Sequence, residues 1–286
     1  MKRACLVAVL CAGAAIHALR AVPPASEAPT LRGWTRLTLT AEESPLYSGS
    51  IDIEVSEKTH EPSRRAAVVV ETRSRAKLLG AIGFEENSTS WIDPVTRRPI
   101  ELFQIRPGDG ARRFRFMPEG VQLTTWEAPG GKRNVPFDQW PAEESPPRPA
   151  TFDDGSPVPA SATLVDPYSM LYLLRDSDAS AGGTREFIVM QKRHAVKITV
   201  TTSDKRAQER TVTDDSTGRS VTLRLTERRL ELKASGQGGP PRGMLGMEGD
   251  LAIWMDETSG AIVEVNGKAP AVGPTSVRLT SFRRAQ

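Results

Sequence analysis

The run Ile51-Asp52-Ile53-Glu54-Val55 alternates apolar and acidic side chains at every position. A period of two residues places the three apolar side chains on one face of an extended chain and both carboxylates on the other, which is the pattern of a half-buried β-strand. The same alternation includes Leu37 and Leu39 before this run, and Phe114 and Phe116 after it. The repeated pattern predicts antiparallel strands that share one apolar face.

Similar runs predict about a dozen short strands, separated by turn signals such as Pro118-Glu119-Gly120. The continuous run Ala66–Glu71 predicts a strand buried on both faces. In the second half we expect strands over 186–190, 195–200, 209–213, 221–225 and 230–233, followed by a hairpin of 251–255 and 262–265. The predicted fold class is mostly β: one domain over 35–284, built as a single large, antiparallel, strongly curved sheet or open barrel.

One segment, residues 166–175, has helical periodicity. Asp166 suits the N-cap and Pro167 the first helical position. The apolar side chains that recur at helical spacing are Met170, Leu171 and Leu174. A helix this short is not stable alone in water, so we predict that it packs this apolar face against the sheet.

Two segments interrupt the strand pattern. Seven prolines fall between Pro136 and Pro159, which predicts a long loop over 136–160. A second loop, 235–249, is rich in Gly and Pro and carries three apolar side chains, Met244, Leu245 and Met247. A flexible backbone with an apolar tip is compatible with a gate or a docking element, and a loop without function is the favoured alternative.

The first 21 residues have the order of a secretory signal peptide. Lys2 and Arg3 precede an uncharged, mostly apolar stretch that is too short to span a bilayer, and Ala18 and Ala21 follow it. Acylation at Cys11 is the alternative, which Leu10 in the preceding position disfavours. We expect 22–34 to be a flexible leader. The expected location is the periplasm, soluble or peripherally associated with the outer membrane, with no transmembrane segment in the mature chain.

Charge and cysteine content narrow the function classes. The formal charge of +3 includes three basic residues of the predicted signal, and its removal leaves 35 basic residues against 35 acidic ones. A neutral mature chain gives no support for nucleic-acid binding. Both cysteines lie in the predicted signal peptide. His60 and His194 are interpreted as ordinary surface histidines. We therefore expect neither a metal site nor a cofactor.

Catalytic patterns are weak. No G-x-S-x-G turn is present to pair with His194. The carboxylate pairs Asp153-Asp154 and Asp214-Asp215 fall in predicted turns, where Asp is favoured for backbone reasons. The chain is predicted not to be an enzyme and to have no catalytic residues, with a carboxylate-based hydrolase as the least favoured alternative.

Three segments together resemble an exported bacterial family known only as a domain of unknown function. Ser90-Trp91-Ile92-Asp93, with Thr96 and Pro99, is similar to its strand–turn–strand element, and 166–175 (DPYSMLYLLR) is similar to its helix motif. The C-terminal hairpin, with 251–256 (LAIWMD), 262–265 and the closing Val277-Arg278-Leu279, completes the resemblance. The chain departs from the family pattern in lacking a proline between Gly260 and Val265 and in its insertion at 136–160. The resemblance implies a fold broadly similar to that of the outer-membrane lipoprotein carriers, in which a curved sheet holds acyl chains beneath a helical cover.

The leading hypothesis is a non-enzymatic envelope protein that binds a lipid or another apolar ligand in the curved sheet. The ligand-facing side chains are expected to be Phe114, Phe116, Met170, Leu171, Leu174, Ile253 and Val263. The alternative is a structural or interaction protein with a filled core that binds other envelope proteins. An apolar cavity of several hundred cubic ångströms, as ligand pockets require, distinguishes the two.

Overall fold

Strands make up most of the described chain, as the alternating pattern predicts. The structure, a computed structural model, describes residues 31–41, 47–78, 82–107, 110–129, 135–175, 183–191, 193–235, 242–245, 247–269 and 273–285. Its elements are β1 (Trp34–Ala41), β2 (Tyr47–His60), β3 (Arg65–Leu78), β4 (Ile82–Ile92), β5 (Pro99–Arg106), β6 (Gly110–Met117), β7 (Gly120–Glu127), β8 (Ala142–Glu144), β9 (Leu164–Val165), α1 (Pro167–Arg175), β10 (Thr184–Gln191), β11 (His194–Asp214), β12 (Arg219–Ser235), β13 (Arg242–Met244), β14 (Met247–Asp256), β15 (Ile262–Ala269) and β16 (Gly273–Arg284). The predicted signal peptide and most of the predicted leader lie outside the described residues.

These strands form one curved sheet. Its order is β8-β7-β6-β5-β4-β3-β2-β1-β16-β15-β14-β12-β11-β10-β9, and β13 pairs with β14. The first half is a meander in which each strand is antiparallel to the next. β1 pairs with β16 on its other side, so the first and last strands meet in the middle of the sheet. The predicted mostly β fold with a single curved sheet and one short helix is confirmed.

The sheet is not purely antiparallel, however. β9 runs parallel to β10, and the end of β11 runs parallel to β16 through Thr213 opposite Ser281 and Asp214 opposite Phe282. The second of these pairings joins β11 to β16 directly. The strands β16, β15, β14, β12 and β11 therefore close into a ring, which gives the barrel-like curvature.

The hairpin of β11 and β12 is longer than the sequence suggested. Four short strands were expected, but the structure has two long ones. The register shifts between Thr202 and Lys205, and a bulge of this kind bends a strand without ending it. The polar, exposed residues at the bulge interrupt the apolar pattern in the way a turn does, and this is why the sequence predicted a break.

A charged cluster attaches the far half of this hairpin to β14 and β15. Glu227 is fully buried and accepts hydrogen bonds from Arg210 and from Arg206, the latter at 2.7 Å. Both arginines also donate to Glu264, each at 2.9 Å. The Arg206 guanidinium lies 3.7 Å from the centre of the Trp254 ring, a cation–π contact. These contacts hold the hairpin over the sheet.

The register shows which side chains share the helix-covered face. Residues directly opposite one another in a ladder point to the same side. Val70 lies opposite Ser90, Ser90 opposite Leu102, and Leu102 opposite Phe114. α1 packs on this face against β3, β4 and β10. Val69, which points to the other side of β3, is also buried, so the prediction of a strand buried on both faces is confirmed.

The Pro-rich segment covers part of the opposite face. It contains a single 3-10 turn, Phe137–Gln139, and the short edge strand β8. Phe137 packs against Phe103, Trp126 and Trp140, with ring centres 5.4–5.6 Å apart. These edge-to-face and tilted contacts are the arrangements that aromatic rings prefer, and they give the segment a fixed position on the sheet.

Candidate functional site

The start of α1 is capped from both directions. The Asp166 side chain accepts hydrogen bonds through Oδ1 from the backbone N–H groups of Tyr168 (2.8 Å) and Ser169 (3.0 Å). The backbone N–H of Asp166 donates in return to Ser169 Oγ at 3.0 Å. This reciprocal arrangement is a capping box with serine in its last position. The prediction that Asp166 is the N-cap is confirmed.

A buried polar network connects this helix start to β4. Ser90 Oγ donates to Asp166 Oδ2 at 2.8 Å, and Ser88 Oγ donates to the Tyr168 hydroxyl at 2.9 Å. The Tyr168 hydroxyl donates in turn to Glu86 Oε1 at 3.4 Å. All five side chains are buried. A satisfied polar network in the interior specifies one arrangement, so it holds α1 in a single position on the sheet.

Burial is the main influence on the pKa values of Asp166 and Tyr168. It raises the pKa of Asp166, against the opposing effect of the hydrogen bonds from Ser169, Ser90 and Tyr168. Burial and the nearby charge of Glu86 raise the pKa of the Tyr168 hydroxyl well above its ordinary value. The tyrosine therefore stays protonated and acts as a hydrogen-bond donor. The network therefore serves to link the helix to the strand through fixed hydrogen bonds.

The end of α1 is also fixed. Arg228 Nη2 donates to the carbonyl oxygen of Leu174 at 3.0 Å, which satisfies one of the unpaired carbonyl groups at a helix C-terminus. The Arg175 guanidinium lies 5.0 Å from the centre of the Trp34 ring. Gly260, at φ +63°, approaches so closely that a Cβ there would lie 2.7 Å from the Arg175 carbonyl oxygen. The helix is thus held at both ends.

The space beneath α1 is almost filled. Of the predicted ligand-facing side chains, six are buried in the core: Phe114, Met170, Leu171, Leu174, Ile253 and Val263. A cavity of about 20 Å³ remains beside Leu171 and Tyr172, over Ile53 and Val70, which is room for about one water molecule. All six side chains are buried, and the space around them is packed. A ligand-binding role for these six residues stays a prediction.

The seventh predicted residue, Phe116, is half-buried and lines a larger open cleft. The cleft has a volume of about 440 Å³, within the range of about 300–1,000 Å³ that is typical of ligand sites. It lies between the strand ends near the β4–β5 and β6–β7 turns and the segment that leads into β9. Its lining residues are Arg65, Asp93, Thr96, Arg98, Pro99, Ile100, Phe116, Met117, Pro118, Gly120, Val121, Ala162 and Leu164.

The charged residues of the cleft were not predicted from the sequence. Arg65 begins β3, Arg98 ends the β4–β5 turn, and Asp93 begins that turn. The turn N–H groups of Thr96 and Val95 donate to Asp93 Oδ1 at 2.7 and 2.9 Å. These hydrogen bonds, with that of Thr96 the strongest cause, lower the pKa of Asp93. The carboxylate therefore stays charged and is engaged by its own turn.

The predicted gate loop lies partly outside the described residues, which omit 236–241 and 246. Leu245 and Met247 are both buried, and a Cβ at Gly267 would lie 2.8 Å from Met247 Sδ. These two side chains thus pack into the core and do not form a projecting apolar tip. The Met244 side chain is not described, and a gating role for the loop stays a prediction.

The histidines occupy different environments. His60 was interpreted as a surface residue, but it is buried: its Nδ1 lies 2.8 Å from Ser63 Oγ, and its ring packs on Trp91. His194 lies 3.8 Å from an oxygen of Asp153 on the surface. Within the described ranges no three His, Cys, Asp or Glu residues form a group that could hold a metal ion.

Of the residues that the structure places, no helix combines the length and the apolar character needed to cross a bilayer.

Comparison with known proteins identifies a similarity in structure and none in sequence. No protein-family model and no curated protein matches the sequence. Among solved structures, the chain is similar to the crystal structure of a beta-barrel-like protein of domain of unknown function DUF1849 from Brucella abortus, with 8% sequence identity and a TM-score of 0.48 over 89% of this chain and 99% of that chain. The predicted likeness to lipoprotein carriers stays a prediction.

Proposed function

We propose that this protein is a non-enzymatic, exported protein of the cell envelope that binds an apolar or amphiphilic ligand in the open cleft beside Phe116. One observation carries the proposal: the cleft has a volume of about 440 Å³ and an apolar wall that includes Ile100, Phe116, Val121 and Leu164. A concave, largely apolar space with a few polar groups is the usual form of a small-molecule site.

The cleft is a better candidate than the space beneath α1. A ligand under the helix would have to displace side chains such as Met170 and Leu174, which are almost completely buried. It would also have to break the hydrogen bonds of Ser90 and Ser88 to the helix start. The cleft requires neither change, because it is open already.

The non-enzymatic part of the proposal is supported by how the buried polar groups are used. Asp166 and Tyr168 are engaged with β4, and Glu227 and Glu264 with arginines. Export is supported by the signal-like order of residues 1–21.

A second candidate, an interaction protein without a ligand, is favoured by the dense packing beneath α1. A cavity of about 20 Å³ is what a filled structural core contains. Under this alternative the cleft would be an ordinary surface depression, and the protein would act through contacts with other envelope proteins.

The two candidates are separated by filling the cleft. Ala162 lines it and is half-buried, so Ala162→Trp places an indole inside. Ala207→Trp, at an exposed position on β11, is the matched control. We expect the neutral fluorescent probe N-phenyl-1-naphthylamine to bind to the wild type and to the control, and to bind at least about tenfold more weakly to Ala162→Trp. Equal binding to all three proteins, or none to the wild type, would favour the interaction protein.

A further inference from the structure

We propose that the ligand of the cleft is an anionic, single-chain amphiphile, with its head group held by Arg65 and Arg98 and its hydrocarbon tail lying along Phe116 and Leu164. This inference rests on the proposed function, because it names the ligand class of the same site. The shared chemistry is a carboxylate or a phosphate monoester on an alkyl chain.

The first support is the distribution of charge across the cleft. Arg65 lies on β3 and Arg98 directly precedes β5, whereas Phe116 lies on β6 and Val121 on β7. The sheet order β3-β4-β5-β6-β7 therefore separates a cationic side from an apolar side. Leu164, at the start of β9, adds to the apolar lining. A cleft polarised in this way matches a molecule with a charged head and an apolar tail.

The second support is the state of the charged groups. Arg65 and Arg98 are both exposed, and the positive charge of Arg65 is close enough to Asp93 to contribute to lowering the pKa of that carboxyl group. Asp93, the one acid in the lining, is engaged by the N–H groups of Val95 and Thr96. The lining thus carries two cations and one anion, and guanidinium groups bind carboxylates and phosphates through paired hydrogen bonds.

The third support is the exposed apolar surface around the site. Met117 lines the cleft with 41% of its surface exposed, and Val95, in the adjacent turn, is 88% exposed; they are the large apolar side chains exposed in the described part of the chain. Both occur where the β4–β5 and β6–β7 turns meet the cleft. Methionine adapts its shape to irregular apolar partners, so an alkyl chain beside Met117 would cover surface that otherwise faces water.

The test is isothermal titration of the protein with decanoate, decyl phosphate and decanol, each below its critical micelle concentration. We expect either anion to bind about tenfold or more tightly than decanol. Shortening the acid from decanoate to octanoate should weaken binding about three- to fourfold per methylene removed. Whichever of decanoate and decyl phosphate binds more tightly identifies the head group.

Variants separate the head-group site from the tail site. Arg65→Gln and Arg98→Gln should each weaken decanoate binding about three- to tenfold and leave decanol binding unchanged. Arg219→Gln, an exposed arginine that does not line the cleft, is the control and should change neither. Raising the salt concentration should weaken binding of the anions only, because it screens exposed charges.

The outcomes distinguish the inference from the proposed function. If decanol binds as tightly as decanoate, and the arginine variants bind like the wild type, the anionic head-group assignment is wrong; loss of binding in Ala162→Trp would then still support the cleft as the ligand site. If acetate competes as well as decanoate, the tail assignment is wrong. If no amphiphile binds and Ala162→Trp changes nothing, both the inference and the proposed function fail.

Discussion

Leu171→Trp tests whether the space beneath α1 is closed. Leu171 lies in the middle of the helix and is 5% exposed. The cavity beside it has a volume of about 20 Å³. A tryptophan side chain carries more than twice the atoms of a leucine side chain, so the additional volume greatly exceeds the space available. The helix cannot move aside freely, because Ser90 donates a hydrogen bond to Asp166 at one end and Arg228 donates one to the Leu174 carbonyl at the other.

We therefore expect Leu171→Trp to lower the free energy of unfolding by about 1–3 kcal/mol, the usual cost of overpacking a dense core. In a domain of this size, each kcal/mol corresponds to roughly 2–4 °C in melting temperature. Urea denaturation followed by circular dichroism measures the first quantity, and calorimetry the second. Leu171→Met is the control, since a nearly volume-conserving exchange costs less than about 1.5 kcal/mol.

A Leu171→Trp variant as stable as the wild type would refute this reasoning. If that variant also lost a co-purifying lipid seen by native mass spectrometry in the wild type, the space beneath α1 would be a ligand site after all. The original hypothesis of a helical cover over a bound chain would then replace the open cleft.

Three further predictions concern the helix ends and the N-terminal segment. Burial raises the folded-state pKa of Asp166 above its ordinary 3.8. Protonation of Asp166 therefore stabilises the fold at low pH, and that contribution is lost as the pH rises through the raised pKa. In urea denaturation repeated at increasing pH, Asp166→Asn should gain stability relative to the wild type. Gly260→Ala should cost about 1–3 kcal/mol in the same assay, from the positive φ and the contact with Arg175. Mass spectrometry of protein from the native host should show an unacylated N-terminus between Leu19 and Ser26, and an intact Met1 would contradict export.

The sequence predicts the local elements of this fold well, because their signals are local. Asp166 and Pro167 mark the start of α1 by their own backbone chemistry, and alternation marks the strands by the pleat itself. The pairing of β11 with β16 has no such signal. It depends on a bulge after Thr202 and on a charged cluster whose members are far apart in the sequence.

The candidate site was harder to predict. Positions 85–90 of β4 are polar on both faces, so nothing indicated that Ser88 and Ser90 would be buried against a helix. The apolar face of Phe114 was predicted, but whether side chains fill the space above it depends on volumes that periodicity does not contain. Arg65, Arg98 and Leu164 come from three separate turns or strand ends, and only the folded chain brings them to one cleft.

The pairing of β1 with β16 has a consequence for the order in which the chain assembles. The two strands are joined by contacts such as the hydrogen bond from the Thr35 hydroxyl to the carbonyl oxygen of Arg283, 248 positions away. Contacts of such long range slow folding, because the intervening chain must be ordered first. Until β16 is available, β1 presents unpaired backbone groups along one side, an edge that invites pairing with another molecule. The pairing of β1 with β16 is thus the step of folding at which an incomplete chain is most prone to aggregate. We expect substitutions in β16 to reduce the yield of folded protein more than equally destabilising substitutions in β7.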